Sequence, residues 1–268
     1  MSGTSGLRRG RALPIVSILV LLYLFVPIIW IVVFSFNHPA GRQNLTWNKF
    51  TLEYWKHPFE NQPLTDAFVQ SLKIAGVAAV VATIIGALMA LALARYRFKG
   101  SGLINVLLVL PLTTPEIVMG ASLFTLFFNR NVDFGFTTVA IAHILFCVSF
   151  VALTVKARIR GFDWTLEDAA MDLGSGPTRT FFKITFPLIL PGILAAAMLS
   201  FALSIDDYII TSFVAGDSLV TFPMRVFNQA RTQTPPYINV LATMILGVTI
   251  VLFVVALIRG NRRAASNA

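Results

Sequence analysis

Six apolar stretches, each near the length needed to cross a bilayer, leave this chain few folds to choose from. They cover residues 13–36, 66–94, 103–128, 136–155, 188–215 and 238–258. A helix needs about 20 predominantly apolar residues to cross roughly 30 Å of hydrocarbon. The runs are continuous and do not alternate in polarity, so they predict helices rather than a barrel. Composition agrees: of 268 residues, 56% are hydrophobic and 12% charged, about half the charged share of a soluble domain. The expected fold is all-α, a polytopic membrane domain of six helices over 13–258 with tails at 1–12 and 259–268. Arg8, Arg9 and Arg11 precede the first run. A signal peptide has a shorter apolar core and a small-residue cleavage site, so a retained first helix is expected.

The net charge of +9 would suggest nucleic acid in a soluble protein. Here its placement speaks for membrane topology. Fourteen of the 21 Lys and Arg residues fall on one side of the six spans, six on the other, and Lys73 begins the second span. The positive-inside bias puts both termini in the cytoplasm and argues against nucleic-acid binding. It makes the segment 37–65 external and 156–187 cytoplasmic. The single cysteine, Cys147, lies in an apolar run and excludes an internal disulfide framework.

The cytoplasmic segment reads Arg160-Gly-Phe-Asp-Trp-Thr-Leu-Glu-Asp-Ala-Ala-Met-Asp-Leu-Gly174. Leu166, Ala169, Ala170 and Leu173 recur on one face of a helix. Thr165 with Asp168 forms a capping-box-like start, and Gly174 supplies a left-handed end. Two turns of helix are marginal alone in water, so this one is expected to dock, on its own membrane domain or on a partner.

Asp168-Ala169-Ala170, then Gly174, Ile184 and Pro187, resembles the E-A-A-x3-G-x9-I-x-L-P signature of ABC-importer permeases. Asp168 stands for Glu and Phe186 for Leu; Glu167 is placed to compensate for the shorter acid. Ala94–Gly100, Pro115–Met119, His143–Cys147, Arg160–Asp163 and Ser200–Asp207 extend the resemblance to the second permease subunit of bacterial spermidine/putrescine importers. The resemblance implies a type I importer-permease fold in a bacterial inner membrane. It also implies a homologous second permease subunit, two copies of an ATP-binding subunit that hold ATP and Mg, and an external substrate-binding protein. Glu167, Asp168, Ala169, Ala170, Gly174, Ile184 and Pro187 would then form the ATPase-coupling loop, and this chain would carry no cofactor.

Ionisable residues inside spans are costly and usually face a bundle interior or a water-filled path. Glu116 stands well inside the third run behind Pro111 and Pro115, where freed carbonyls are expected, and Asp206 and Asp207 stand in the fifth. Adjacent residues on a helix point about 100° apart, so the two aspartates should make different contacts. A carboxylate offers an amine charge and hydrogen bonds in place of water, which favours a cationic passenger. The resemblance adds Ser204, and also Tyr54 and Trp55 in the external loop, where a cation–π contact competes with an interfacial-anchor role. His143 reads as an interhelical polar group before a proton relay. Asn44-Leu-Thr46 matches a glycosylation sequon by a pattern too common to weigh.

No phosphate loop, His-Glu-x-x-His, cysteine pair or Gly-x-Ser-x-Gly elbow occurs. Energy would come from a partner or an ion gradient, and no catalytic or metal site is expected. Against the importer permease stand a permease for another solute, a secondary transporter using Glu116 or Asp206 for protons, and an intramembrane enzyme. The second would normally carry an internal repeat; the third lacks a reactive constellation.

Overall fold

The computed structural model describes residues 12–96, 98–230 and 233–265. Residues 1–11 and 266–268 of the expected tails, with Arg8, Arg9, Arg11, Arg97 and Arg231 of the charge-bias reading, lie outside the described residues. In chain order the elements are α1 (Ala12–Phe34), β1 (Asn37–His38), β2 (Lys49–Phe50), α2 (Glu53–Lys56), α3 (Gln62–Arg95), α4 (Ser101–Thr113), α5 (Glu116–Asn129), α6 (Phe136–Ile159), α7 (Thr165–Asp172), α8 (Pro177–Thr180), a π-helical turn (Phe181–Thr185), α9 (Phe186–Asp206), α10 (Ile209–Val214), α11 (Phe222–Ala230) and α12 (Pro236–Ala265). They form two compact units: Pro63–Asn228, and the residues on either side of it.

In the unit Pro63–Asn228, α6 is the central helix. Val139, Ala142, Cys147, Val151 and Val155 are fully buried, packed with Ala82 and Ala90 of α3 and Ile189 and Ala196 of α9. Lipid tails are as apolar as leucine, so helices in a bilayer associate through close packing of small residues. The inner face of α3 shows this: Ala75, Ala78, Ala79, Ala82, Gly86, Ala87 and Ala90 are buried. A Cβ on Gly86 would sit 2.7 Å from Val151 Cγ1 and 2.9 Å from the Val148 carbonyl. Cys147 is a small buried hydrophobe, its thiol 3.5 Å from the Ser200 carbonyl.

Two expected spans are broken. The run 103–128 is not one crossing: α4 and α5 meet at 110°. Pro115 disfavours helical backbone in the residue before it, and Thr114 is extended at ψ 128. The Leu110 carbonyl near the break is kept satisfied by the Thr114 amide and the Thr113 and Thr114 hydroxyls. The run 188–215 is also displaced. One helical course runs Pro177–Asp206, and α10 follows separately. It passes Pro187 by a change of register: the Phe186 amide reaches back to the Phe181 carbonyl, one residue before the proline that has no N–H for the ordinary ladder.

In the other unit, β1 pairs antiparallel with β2, Asn37 opposite Phe50. Asn37 donates to Asn44 Oδ1 and the Thr46 carbonyl, and Asn44 donates to the Phe34 carbonyl. The sequon asparagine is thus buried and bonded. Four described helices are long and apolar enough to cross a membrane, five with the bent pair counted as one span. The sixth expected span lies in α12, whose apolar described part is Pro236–Val251, shorter than a full crossing.

Candidate functional site

The two helix breaks open onto one cavity of about 490 Å³ inside the unit Pro63–Asn228. Glu116, Asp206, Asp207 and Tyr208 line it, with Pro111 and Phe150 among its apolar walls. Broken helices that flank a cavity are a recurrent way to build a binding site within a membrane, because the exposed backbone and the polar side chains share it. α5 and α10 approach closely beside it: a Cβ on Gly120 would lie 2.6 Å from the Phe213 ring.

The three acids differ. Glu116 is the first residue of α5, where an anion is favoured by the helix dipole. Asp206 ends α9. Both are exposed within the chain, and neither forms an ion pair with a described residue. Asp207 is committed elsewhere. Its Oδ2 accepts the Thr211 amide at 2.8 Å and the Thr211 hydroxyl at 2.7 Å, so it caps α10. The same oxygen lies 3.3 Å from His143 Nε2, and its side chain is only 5% exposed.

His143 completes the arrangement. Its Nδ1 is 2.7 Å from Ser204 Oγ, and its Nε2 is 2.9 Å from Thr211 Oγ1. One assignment satisfies every group: Ser204 donates to Nδ1, Nε2–H donates to Thr211, and Thr211 donates to Asp207. The histidine is therefore a satisfied interhelical group joining α6 to α9 and α10. Ser204 is buried against it and does not line the cavity. Sequence reasoning did not foresee this chain of bonds, which joins residues 61 and 68 positions apart. The spacing Asp207 to Thr211, an acid just before a helix start, was the one available signal.

Tyr54 and Trp55 belong to the other unit. The Tyr54 hydroxyl is 3.2 Å from His38 Nδ1, and its ring meets Tyr237 edge-on at 5.1 Å. Partial burial lifts the Tyr54 phenol above its ordinary pKa, with the Glu53 carboxylate adding to the effect. The Trp55 indole donates to Ser35 and stacks on Phe36.

The segment 156–187 forms the expected short helix, α7. Its end is a Schellman motif: Ser175 N–H reaches the Ala170 carbonyl, Gly174 N–H reaches Met171, and Gly174 has φ +86. Its start differs from the expected capping box. The hydroxyl and amide of Thr165 both donate to Asp163, which holds that carboxyl below its ordinary pKa. Leu166, Asp168, Ala169 and Leu173 are exposed, Leu173 by 90%, while Ala170 and Ile184 are half-buried and Pro187 is exposed. Glu167 points the other way and is 3% exposed.

Residues 82–263 match the family described as the binding-protein-dependent transport system inner membrane component. The chain is 38% identical over 234 residues to a spermidine/putrescine transport system permease protein of Haemophilus influenzae, covering 87% of this chain and 90% of that one. It is 36% identical over 245 residues to the Escherichia coli K12 protein of the same description, covering 91% and 92%. A putrescine transport system permease protein of E. coli K12 is 37% identical over 232 residues, covering 84% and 82%. Among solved structures, a bacterial ABC transporter for alginate import matches with a TM-score of 0.66 at 16% identity, over 92% of this chain and 96% of that one. The match shows the importer-permease fold. The molecule is thus a multi-pass inner-membrane protein.

Proposed function

The chain belongs to the binding-protein-dependent transport system inner-membrane family, and from that membership we propose that it is a permease subunit of an ATP-driven polyamine importer. The observation that carries the substrate class is the cavity at the two helix breaks, with the carboxylates of Glu116 and Asp206 free to meet a cation. An amine leaving water needs charge and hydrogen-bond acceptors in exchange, and dispersed acids offer both without forming a trap. Tyr208, on the cavity wall, adds an aromatic surface. Relatives named for spermidine and putrescine support the same class. Tyr54 and Trp55 are assigned to an earlier, external stage of passage.

The exposed face of Leu166 and Ala169 on α7, with Leu173 just past its end, suits a groove in a partner ATPase. In this reading the ATPase subunits bind ATP and Mg, a homologous permease supplies the other half of the path, and an external binding protein delivers the substrate. Both termini lie in the cytoplasm, and this chain itself is not an enzyme. ATP-driven closure of the partner would switch the spans between inward- and outward-facing states.

The test is uptake of radiolabelled spermidine and putrescine by the reconstituted complex, with amines, other organic cations and small anions as competitors. The expected result is uptake that requires ATP hydrolysis and is blocked by polyamines alone. Gradient-driven uptake by this chain without an ATPase would overturn the reading. Competition by another solute class would replace the substrate and keep the permease.

A further inference from the structure

α7 meets the membrane helices through one buried acid. Glu167 is the buried residue of α7. Its Oε2 lies 2.8 Å from the guanidinium of Arg95, the last residue of α3. Its Oε1 accepts the hydroxyl of Thr185, which is itself buried in the π-helical turn leading into α9. The Arg95 guanidinium also lies 5.7 Å over the ring of Trp164, just ahead of α7. A single carboxylate therefore holds three elements together.

We infer that Glu167, clasped by Arg95 and Thr185, is the positioning residue that passes movement of α7 into α3 and α9. This rests on the functional reading above, in which a partner ATPase moves α7. A helix of eight residues does not hold its own position in water, so its contacts decide what it moves. The outward face of α7 carries Leu166, Asp168 and Ala169 and makes no ion pair with a described residue; the inward face carries the acid with both oxygens engaged. A buried carboxylate is tolerated only while its partners stay in place. A displacement of α7 therefore drags Arg95 and Thr185 with it more readily than it breaks the contact.

Thr185 sits near the start of a long continuous helix. From it the helix runs unbroken to Asp206 in the cavity, roughly 30 Å at the rise of an α-helix. π-turns inside helices recur at functional positions, and here the turn is where the clasp takes hold. The alternative is that the bond merely fastens a surface helix. The two differ in one readout, the number of ATP molecules hydrolysed per substrate imported.

The experiment uses the full importer reconstituted in proteoliposomes, with ATP hydrolysis and spermidine uptake measured on the same preparation. Glu167→Gln and Arg95→Gln should leave assembly and hydrolysis near wild type. They should raise ATP consumed per spermidine about tenfold, the size of an ordinary coupling between sites. The paired swap Arg95→Glu with Glu167→Arg should recover part of the loss. Thr185→Val, which removes one hydroxyl at nearly constant volume, should raise the ratio by a smaller factor and serves where a charge change prevents assembly. Hydrolysis and uptake that fall together, or a ratio unchanged in an assembled Thr185→Val complex, would overturn the clasp. A wild-type complex with no ATP-dependent spermidine uptake would instead count against the functional reading on which it rests.

Discussion

Adjacent aspartates at the end of α9 should fail in different ways when neutralised. Asp207→Ala removes the acceptor of the Thr211 amide and hydroxyl, beside the buried His143. A hydrogen bond to a charged group contributes about 1.5–3 kcal/mol, and a buried donor left unpaired costs about 1–3 kcal/mol. These effects overlap, since the Thr211 hydroxyl can still turn to the backbone carbonyl of residue 207 and the imidazole keeps its bond to Thr211 Oγ1. A loss of about 3–4 kcal/mol follows, consistent with the upper end of a lost helix cap plus one stranded donor. At about 2–3 °C per kcal/mol, the melting temperature should fall by roughly 6–12 °C. Asp206→Asn faces the cavity and breaks no ion pair with a described residue, so it should cost within about 0.5 kcal/mol of stability. Its effect should appear in transport: loss of about 2 kcal/mol of charge-assisted contact to an amine is roughly thirtyfold in uptake. The assay is paired, thermal melting of the purified complex and spermidine uptake in proteoliposomes. Equal melting shifts for the two variants would refute this division of labour. So would normal uptake by a stable Asp206→Asn complex.

Two further outcomes follow from local geometry. Gly86→Val should separate α3 from α6 and destabilise by about 1–3 kcal/mol or more, because a Cβ there meets the Val148 carbonyl, which cannot rotate away. Gly76→Ala, on the same helix with nothing within 4 Å of the added carbon, should be neutral or slightly stabilising in the same melting assay. The bond from Thr165 holds the folded pKa of Asp163 below its ordinary value, so the order it lends to the start of α7 is complete at neutral pH. That order is lost only as the pH falls through the lowered value. Protection from hydrogen exchange at the first turn of α7, taken relative to the intrinsic rate at each pH, should therefore fall in acid, and Asp163→Asn should remove that dependence; an unchanged profile would contradict it.

The apolar helices and the short helix α7 were legible in the sequence, because length, apolar content and Gly174 each act locally. What escaped was direction. A helix that is apolar all round has no moment to say which face is inward, so nothing marked Ser204 as facing His143 rather than the cavity. Glu167 and Asp168 are neighbours of equal charge, yet one is buried on Arg95 and the other exposed. Only the packing of α3 and the π-helical turn distinguishes them, and those partners lie 72 and 18 positions away in the chain. The breaks were half visible. Pro115 announced the first, whereas Asp207 ends α9 without a proline, by offering α10 a better acceptor than the continuing helix would.

A broken helix in a bilayer must satisfy its freed backbone inside the protein, and this requirement explains why two acids stand side by side. Asp207 meets the backbone's need: it binds the amides of α10 and is locked by His143. Its charge is thereby spent on structure. A cation in the cavity needs a carboxylate that is not spent, and the next residue supplies it on a different face. Asp206 is also the last residue of the helix that begins beyond the clasp at Thr185. On the proposed reading, the charge that meets the passenger and the leverage that comes from α7 share one continuous helix. If α7 shifts Asp206 between two positions, a cation that prefers one of them must shift α7 by the same free energy. A substrate in the cavity is then felt at α7 through the same helix that moves it, without any second pathway.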